Sequence, residues 1–424
     1  MRRRFLRYDF LPSFSATRAT PFRLPAEAFL PAFVLFSFMF LTAPPAALAV
    51  SPPQTGHRDG GRSLVWSKEE LISEGFTSAF VTPNNSRSMK ADRDGNVQVL
   101  FTGNRDYYYN IFWRERTGTG WGKLEQVNFT GSTSSTPSLA INPKGVSYAV
   151  WSDNPEGNYD IFISSRVNGR WLAAENVTND RTASLFPALA CGKDGTLHLV
   201  WEDNRGDTSR VMYSRRVREK WSTPLCISRQ KTHSTAPSLA LEVDGRICAV
   251  WTENERTREF IVFRELSGDK WRRIQRISGS DHSSNRPCVA AGGNKEVRVV
   301  WEDHRFSKPA VCYREREGGR WRREVLLTGG NSNAFRPVVC SGPGNTVHVA
   351  WYDDRWGASQ ATYCLRRGGS WGPVLRANDS STLTIFVSMD VDSRGGVHIL
   401  FQDRRKDAYE VYYVKGTNVT SKGP

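Results

Sequence analysis

The sequence has no glycine-rich phosphate loop, no Gly-x-Ser-x-Gly elbow, no His-Glu-x-x-His pair and no closely paired cysteines. Phosphate-loop nucleotide binding, elbow-type serine chemistry and zinc hydrolysis therefore lose their usual anchors, and neither a cofactor nor a metal is expected. Helical periodicity is missing from residue 63 onward. Cysteine is sparse and odd in number: Cys191, Cys226, Cys248, Cys288, Cys312, Cys340 and Cys364 leave at least one thiol unpaired in a monomer. These residues share no recurring spacing, so buried thiols acting as small apolar groups are the simpler expectation. One or two bridges stay open to an exported chain. Long apolar runs are also lacking. The best of them, residues 29–41, falls short of the ~20 residues of a spanning helix, and Pro44 and Pro45 interrupt its extension.

Arg2, Arg3, Arg4 and Arg7 precede that run and Ala47-Leu48-Ala49 follows it, the layout of an export signal over residues 1–49 cleaved after Ala49. A retained N-terminal anchor is the alternative. Residues 50–62, rich in Pro and Gly, read as a linker. A secreted, periplasmic or cell-surface location follows, with no membrane contact beyond such an anchor. Lys and Arg exceed Asp and Glu by 15, of which the leader holds 4, leaving a mature chain near +11. The basic residues form no run, so the excess gives a weak bias toward anionic partners and no nucleic-acid site. A monomer is expected.

What the chain has in abundance is a repeat. Steps of 50 from Phe101 land on Trp151, Trp201, Trp251, Trp301, Trp351 and Phe401; a second ladder runs Trp121, Trp171, Trp221, Trp271, Trp321, Trp371; a third runs Pro137, Pro187, Pro237, Pro287, Pro337. Within a unit the apolar period is two, as in Leu197, Leu199 and Trp201, which argues strands. Four short strands fit each unit: one after the Pro, one ending at the aromatic, one after a polar loop, and one beginning at the second Trp. Such a unit cannot cover both its faces alone, and radial stacking solves this with only short edges exposed. The expectation is an all-β, seven-bladed propeller over residues 63–415, with residues 416–424 as a tail. The last unit lacks a fourth strand, and the segment around Trp66 resembles one, so the N-terminal strand should close the ring beside the C-terminal blade. An enlarged loop is expected at residues 76–86.

The loops joining strands two and three share a face with the crossings between blades, the usual ligand face of such folds. They carry a recurring acid and base: Asp203 with Arg205, Asp303 with Arg305, Asp353 with Arg355, Asp403 with Arg405. The bland reading is that Asp fixes its turn and Arg pairs across to a neighbouring blade. The functional reading is that several Arg converge on an acidic ligand. Blades that break the pattern attract attention, blade one above all, with Gly103 in the acid's place and then Arg105, Asp106, Tyr107 and Tyr108. Candidate ligand-binding residues are Arg105, Tyr107, Tyr108, Arg205, Arg305, Asp353, Arg355, Trp356 and Arg405, the aromatic ones because a ring in a polar loop can stack on a sugar; Phe306 belongs to the same class. His198, His348 and His398 share one repeat position that Arg298, Tyr148, Cys248 and Gln98 fill elsewhere, which favours packing over metal binding. Asp92, Asp94, Asp390 and Asp392 lack the later Glu of a calcium loop and read as turn residues.

The phrase Asp194-Gly195-Thr-Leu-His-Leu-Val-Trp201-Glu-Asp203-Asn-Arg205, followed by a strand and Gly-x-Trp, resembles the sialidase-like (BNR-type) repeats of exported bacterial propellers. The resemblance spans residues 63–415 and implies the propeller fold. It departs from the family's Asp box in lacking its Ser/Thr and in setting the aromatic six residues after Gly195, and seven units stand where sialidases have six. The family's Arg triad, Tyr–Glu pair and acid match no position here by motif, so no catalytic residue is assigned. The leading expectation is a non-catalytic propeller binding a glycan or protein on its loop face. A sialidase-like hydrolase or lyase acting on acidic sugars is one alternative and a structural envelope role another. An enzyme would need two carboxyls, or a Tyr and a carboxyl, within ~5–10 Å at the axis, whereas Asp–Arg pairs spaced symmetrically around the rim would count against catalysis.

Overall fold

The computed structural model describes residues 62–82, 87–105, 107–242, 244–293, 295–405 and 407–420; the export signal, its cleavage site and nearly all of the linker lie outside the described residues. Seven antiparallel sheets follow one another along the chain, and the architecture is a seven-bladed propeller. In blade 3 the strands Ala183–Cys191, Leu197–Arg205 and Thr208–Val217 pair in order, and two short pieces, Lys220–Trp221 and Leu225–Cys226, pair with the third. Every blade has its fourth strand broken in this way. A broken outermost strand presents little edge for unwanted pairing. Among the described residues the sole helix is the 3-10 turn Pro343–Asn345, and no helix is long and apolar enough to cross a membrane.

Ring closure takes the expected form. Arg62–Trp66 pairs with the C-terminal strand Tyr409–Thr420, Trp66 opposite Gly416, and Glu70–Leu71 pairs with the same strand farther in. A Cβ at Gly416 would sit 2.8 Å from the Trp66 ring, so glycine makes the room that the closing Trp needs. The strand continues to Thr420, and residues 416–420 are therefore part of blade 7 rather than tail.

Two sequence expectations shift. The repeating Pro lies inside the first strand rather than before it: the ladder slips between Leu185 and Ala188, and the residue ahead of each Pro takes a left-handed φ, from 48° at Arg336 to 54° at Thr136. A bulge on the innermost strand tolerates a residue without N–H. In blade 1 the first strand is split into Ser78–Phe80 and Met89–Ala91, both paired with Val97–Asn104, so the enlarged connection holds a strand of its own; residues 83–86 lie outside the described set.

The aromatic ladders divide the packing between them. Trp151, Trp251, Trp301 and Trp351 are 0% exposed and fill the space between sheets. The outer ladder seals seams: Trp121 meets Tyr413 edge-on at 5.2 Å, Trp271 meets Tyr213 at 5.1 Å, Trp371 meets Tyr313 at 4.9 Å and Trp66 meets Tyr363 at 5.4 Å, each ring reaching the preceding blade. A further repeat caps strand three. Side chains of Ser73, Asn128, Thr178, Ser228, Ser278, Thr328 and Asn378 accept the N–H of Val411, Ile111, Ile161, Val211, Ile261, Val311 and Ala361 at 2.7–3.0 Å. All seven cysteines are free, five of them buried, which agrees with the apolar-thiol reading. At the axis Arg87, in the slot where five blades hold Pro, reaches across the channel to the carbonyl of Val289 in blade 5 at 3.2 Å.

Candidate functional site on the loop face

Loops between strands two and three do share a face with the crossings, since Arg205 in one reaches Asp180 in the other at 2.7 Å. The recurring acid stands two residues past the aromatic, and there it is wholly enclosed: Asp153, Asp203, Asp303, Asp353 and Asp403 are 0% exposed, as is Glu253 in blade 4. Buried carboxylates require donors. Asp353 takes the Trp351 indole at 2.9 Å, the Arg355 N–H at 2.8 Å and the Arg355 guanidinium at 2.7 and 3.0 Å. Asp203 and Asp303 hold Arg205 and Arg305 in the same grip at 2.7 and 2.6 Å. Burial alone would raise the Asp303 carboxyl, but hydrogen bonds and charge from Arg305 outweigh it and keep the group below its ordinary value.

Each rim Arg is thus held within its own blade or the crossing that leads into it. Arg305 adds Glu324 at 2.9 Å and Arg405 adds Glu69. Pairing across to a neighbouring blade, expected of these residues, belongs instead to strand three, where Arg116, Arg166, Arg216 and Arg366 bind Glu70, Glu125, Glu175 and Glu315 of the blade before at 2.7–3.1 Å. The reason is reach: an Arg two residues from its Asp closes a local bidentate ring, whereas strand three faces the adjacent sheet.

The deviant blades substitute other chemistry in the same bracket. In blade 2, Thr130, Ser132 and Ser134 donate to Asp153 where no Arg follows. In blade 1, Gly103 leaves space for Phe76, whose ring would lie 2.6 Å from an added Cβ, and Arg105 stacks on that ring at 4.3 Å while donating to the Glu74 carbonyl. Phe306 likewise lies over the Gly330 backbone as a rim plug. Trp356 is 38% exposed beside Arg355, their separation 5.5 Å, whereas Tyr107 and Tyr108 project into solvent at 88% and 48%. The nine candidates therefore lie around the rim, and Asp353, Arg355 and Trp356 form one contacting group among them.

The histidines are packing groups, as expected. His198, His348 and His398 bond the phenols of Tyr213, Tyr363 and Tyr413 at 2.7–2.9 Å, and burial holds His198 down to about 4. Asp92 closes its own turn by accepting the N–H groups of Asp94 and Asn96. Glu242, Cys248 and Glu265 gather as a cluster of potential metal ligands, but Arg246 bridges both carboxylates and Arg316 adds to Glu265.

What the sequence reading missed lies nearer the axis. The left-handed bulge residues of blades 5 and 6 are Arg286 and Arg336, on neighbouring innermost strands Ser284–Ala291 and Ala334–Gly342. Glu302 faces both: one oxygen takes the Arg286 guanidinium at 2.9 Å and the other the Arg336 backbone N–H at 2.7 Å. The Arg336 guanidinium lies over Phe386 at 4.6 Å and bonds the Tyr352 hydroxyl. Burial first, then the positive charge of Arg286, lowers Arg336 from its ordinary value. Tyr352 is pushed up to about 12 by burial and stays a neutral phenol. The sequence offered little signal of them: the residue before the repeating Pro is Thr136, Phe186, Ala236, Arg286 and Arg336, and the residue before that varies as freely, as Ser135, Leu185, Thr235, Asn285 and Phe335.

No family model matches the chain, and no curated protein matches it in sequence. Solved structures do. A polysaccharide lyase, an ulvan lyase bound to a GlcA(1-4)Rha3S unit, superposes with a TM-score of 0.60 over 83% of this chain and 98% of its own at 8% identity. The polysaccharide lyase Uly1 gives 0.52 over 82% and 94% at 11% identity, and a Hadza microbial sialidase 0.48 over 76% and 74% at 12%. The likeness is one of fold. No residue role passes with it.

Proposed function

We propose that the protein is an exported propeller that binds an acidic polysaccharide at the axial mouth of its loop face without cleaving it. Arg286 and Arg336 receive the carboxylate or sulfate groups. One observation carries this reading: Arg286 and Arg336, on adjacent innermost strands, converge on one buried carboxylate, Glu302, which takes the guanidinium of the first and the backbone N–H of the second. Two arginines that share one carboxylate keep a net positive charge that an incoming anion can meet. Arg205, Arg305, Arg355 and Arg405 each have a recurring Asp of their own, whereas Arg286 and Arg336 share Glu302.

The same geometry argues against cleavage. Glu302 has both oxygens engaged, and the Tyr352 phenol beside it is held protonated, so neither is poised as base or nucleophile. The acid–base pairs of the rim recur blade by blade as structural fasteners.

A glycan array with the purified protein, followed by reducing-end and unsaturated-end assays on every hit, tests the reading. Uronate- or sulfate-bearing glycans should bind, more weakly as salt rises. Arg336→Gln should weaken them about 10- to 100-fold, the equivalent of a charge-assisted hydrogen bond of roughly 1.5–3 kcal/mol. Undiminished binding by that variant, or turnover of a bound glycan, would overturn it.

A further inference from the structure

We infer that blade 1 carries a second binding surface, an aromatic platform of Tyr107, Tyr108 and Phe129 that takes the C–H faces of pyranose rings. The repeat supplies the control. At the position of Tyr107 the other blades have Gly157, Asp207, Thr257, Ser307, Gly357 and Asp407; at that of Tyr108, Asn158, Thr208, Arg258, Lys308, Ala358 and Ala408. At that of Phe129 they have Asn179, Arg229, Gly279, Gly329, Asp379 and, in the closing blade, Glu74. Six sister blades build the same loops without an aromatic at any of these places, so the fold does not ask for one. Yet Tyr107 is 88%, Phe129 80% and Tyr108 48% exposed. Leaving a Phe in water forgoes roughly 1.5–3 kcal/mol of burial, and concentrating such residues in one corner of one blade calls for a partner.

The two loops that bear them are laced together. Asn128 donates to the Asn110 side-chain oxygen at 3.2 Å, and Asn110 donates to the Tyr108 carbonyl at 3.3 Å, so strand-two-to-three loop and crossing stand side by side on the loop face. The surroundings choose the occupant. The other side chains of these two loops are polar: Asn104, Asn110 and Thr130 are half-buried and Arg105 is exposed. A protein-binding patch has a packed apolar centre; separate rings set among amides and hydroxyls suit a sugar, whose C–H face stacks while its hydroxyls meet the polar groups. The neighbouring Tyr109 turns into the structure instead, packing on Phe80 at 5.5 Å, which in turn meets Tyr409 of blade 7 at 5.8 Å.

This extends the polysaccharide reading of the axial arginines, but stacking needs no charge and can be tested apart from them. Native gels cast with polygalacturonate, alginate, hyaluronan, xyloglucan or dextran are run with wild type, Tyr107→Ala/Phe129→Ala, Tyr107→Phe and Arg336→Gln. At least one polysaccharide should retard wild type. The double variant should lose about tenfold in that affinity, from roughly 0.5–1.5 kcal/mol per stacked ring, with an unchanged melting temperature because both rings are exposed. Tyr107→Phe should retain the retardation, since the ring face rather than the hydroxyl makes the contact. If the double variant migrates as wild type while Arg336→Gln loses binding, the platform is refuted and the axial reading stands; the reverse pattern refutes the axial reading alone. Retardation of wild type by none of the five polysaccharides would overturn the sugar assignment and leave a protein as the occupant of the rings.

Discussion

Glu202→Gln should stabilise the protein at alkaline pH and leave it unchanged in acid. Glu202 occupies in blade 3 the position that Gln402 occupies in blade 7, where the amide oxygen accepts the Val81 N–H of the next blade at 3.0 Å. Glu202 does the same for Ala236 at 3.4 Å, but as a carboxyl only 6% exposed. Burial drives its pKa up to about 7 from 4.5, and the hydrogen bonds from Ala236 and Ser209 offset only part of that. The folded state therefore holds a proton that the unfolded chain releases between pH 4.5 and 7. Stability must fall as pH rises through that window, because there the folded state binds more protons, and stay lowered above it. At about 1.4 kcal/mol per pKa unit the loss is about 3 kcal/mol by pH 8. For a cooperative unit of this size that is about 4 °C in melting temperature. Glutamine keeps the acceptor and removes the ionisation, so melts of the two proteins from pH 4 to 8 should coincide in acid and diverge upward of pH 5. A constant difference across the range, or a variant less stable at pH 8, would refute the claim that Glu202 is folded at the expense of its charge.

Arg355→Ala leaves the enclosed Asp353 without its guanidinium; the ~3–5 kcal/mol of a fully buried pair is trimmed to about 2 because Arg355 is 25% exposed. Urea denaturation should show that loss, whereas Arg105→Ala, which removes a ring partner and no ion pair, should cost less than about 1 kcal/mol. An Arg355→Ala protein of wild-type stability would mean that the rim pair is not a fastener. Gly103→Ala places a methyl within 2.6 Å of Phe76 and should cost about 1–3 kcal/mol. In a Phe76→Ala background the same change should cost nothing measurable, and a double-mutant cycle showing additive effects would sink the explanation of why blade 1 lacks its Asp.

The fold could be read from the chain because every blade repeats the same problem. An aromatic every 50 residues and a period of two leave only stacked four-stranded sheets as a way to cover both faces, and a last unit short of one strand points to the Trp66 segment as its completion. The caps on strand three were equally present in the sequence, but Asn128, Thr178 and Ser228 differ in type, and what they share is only the ability to accept one N–H. The rim was read half correctly. Its Asp are structural, as the repetition suggested, yet the partner of each Arg depended on which way a side chain turned.

By itself the sequence determined the number of blades, the order of strands and the manner of closure, since these follow from local pattern and from the need to bury apolar faces. Only the tertiary structure decided which charged residues of different blades meet. Arg286 and Arg336 are 50 residues apart and look like any other basic residues of a basic chain. A bulge in each of two adjacent inner strands sets both against Glu302, and a meeting of residues from different blades is a property of the closed ring that no local pattern contains.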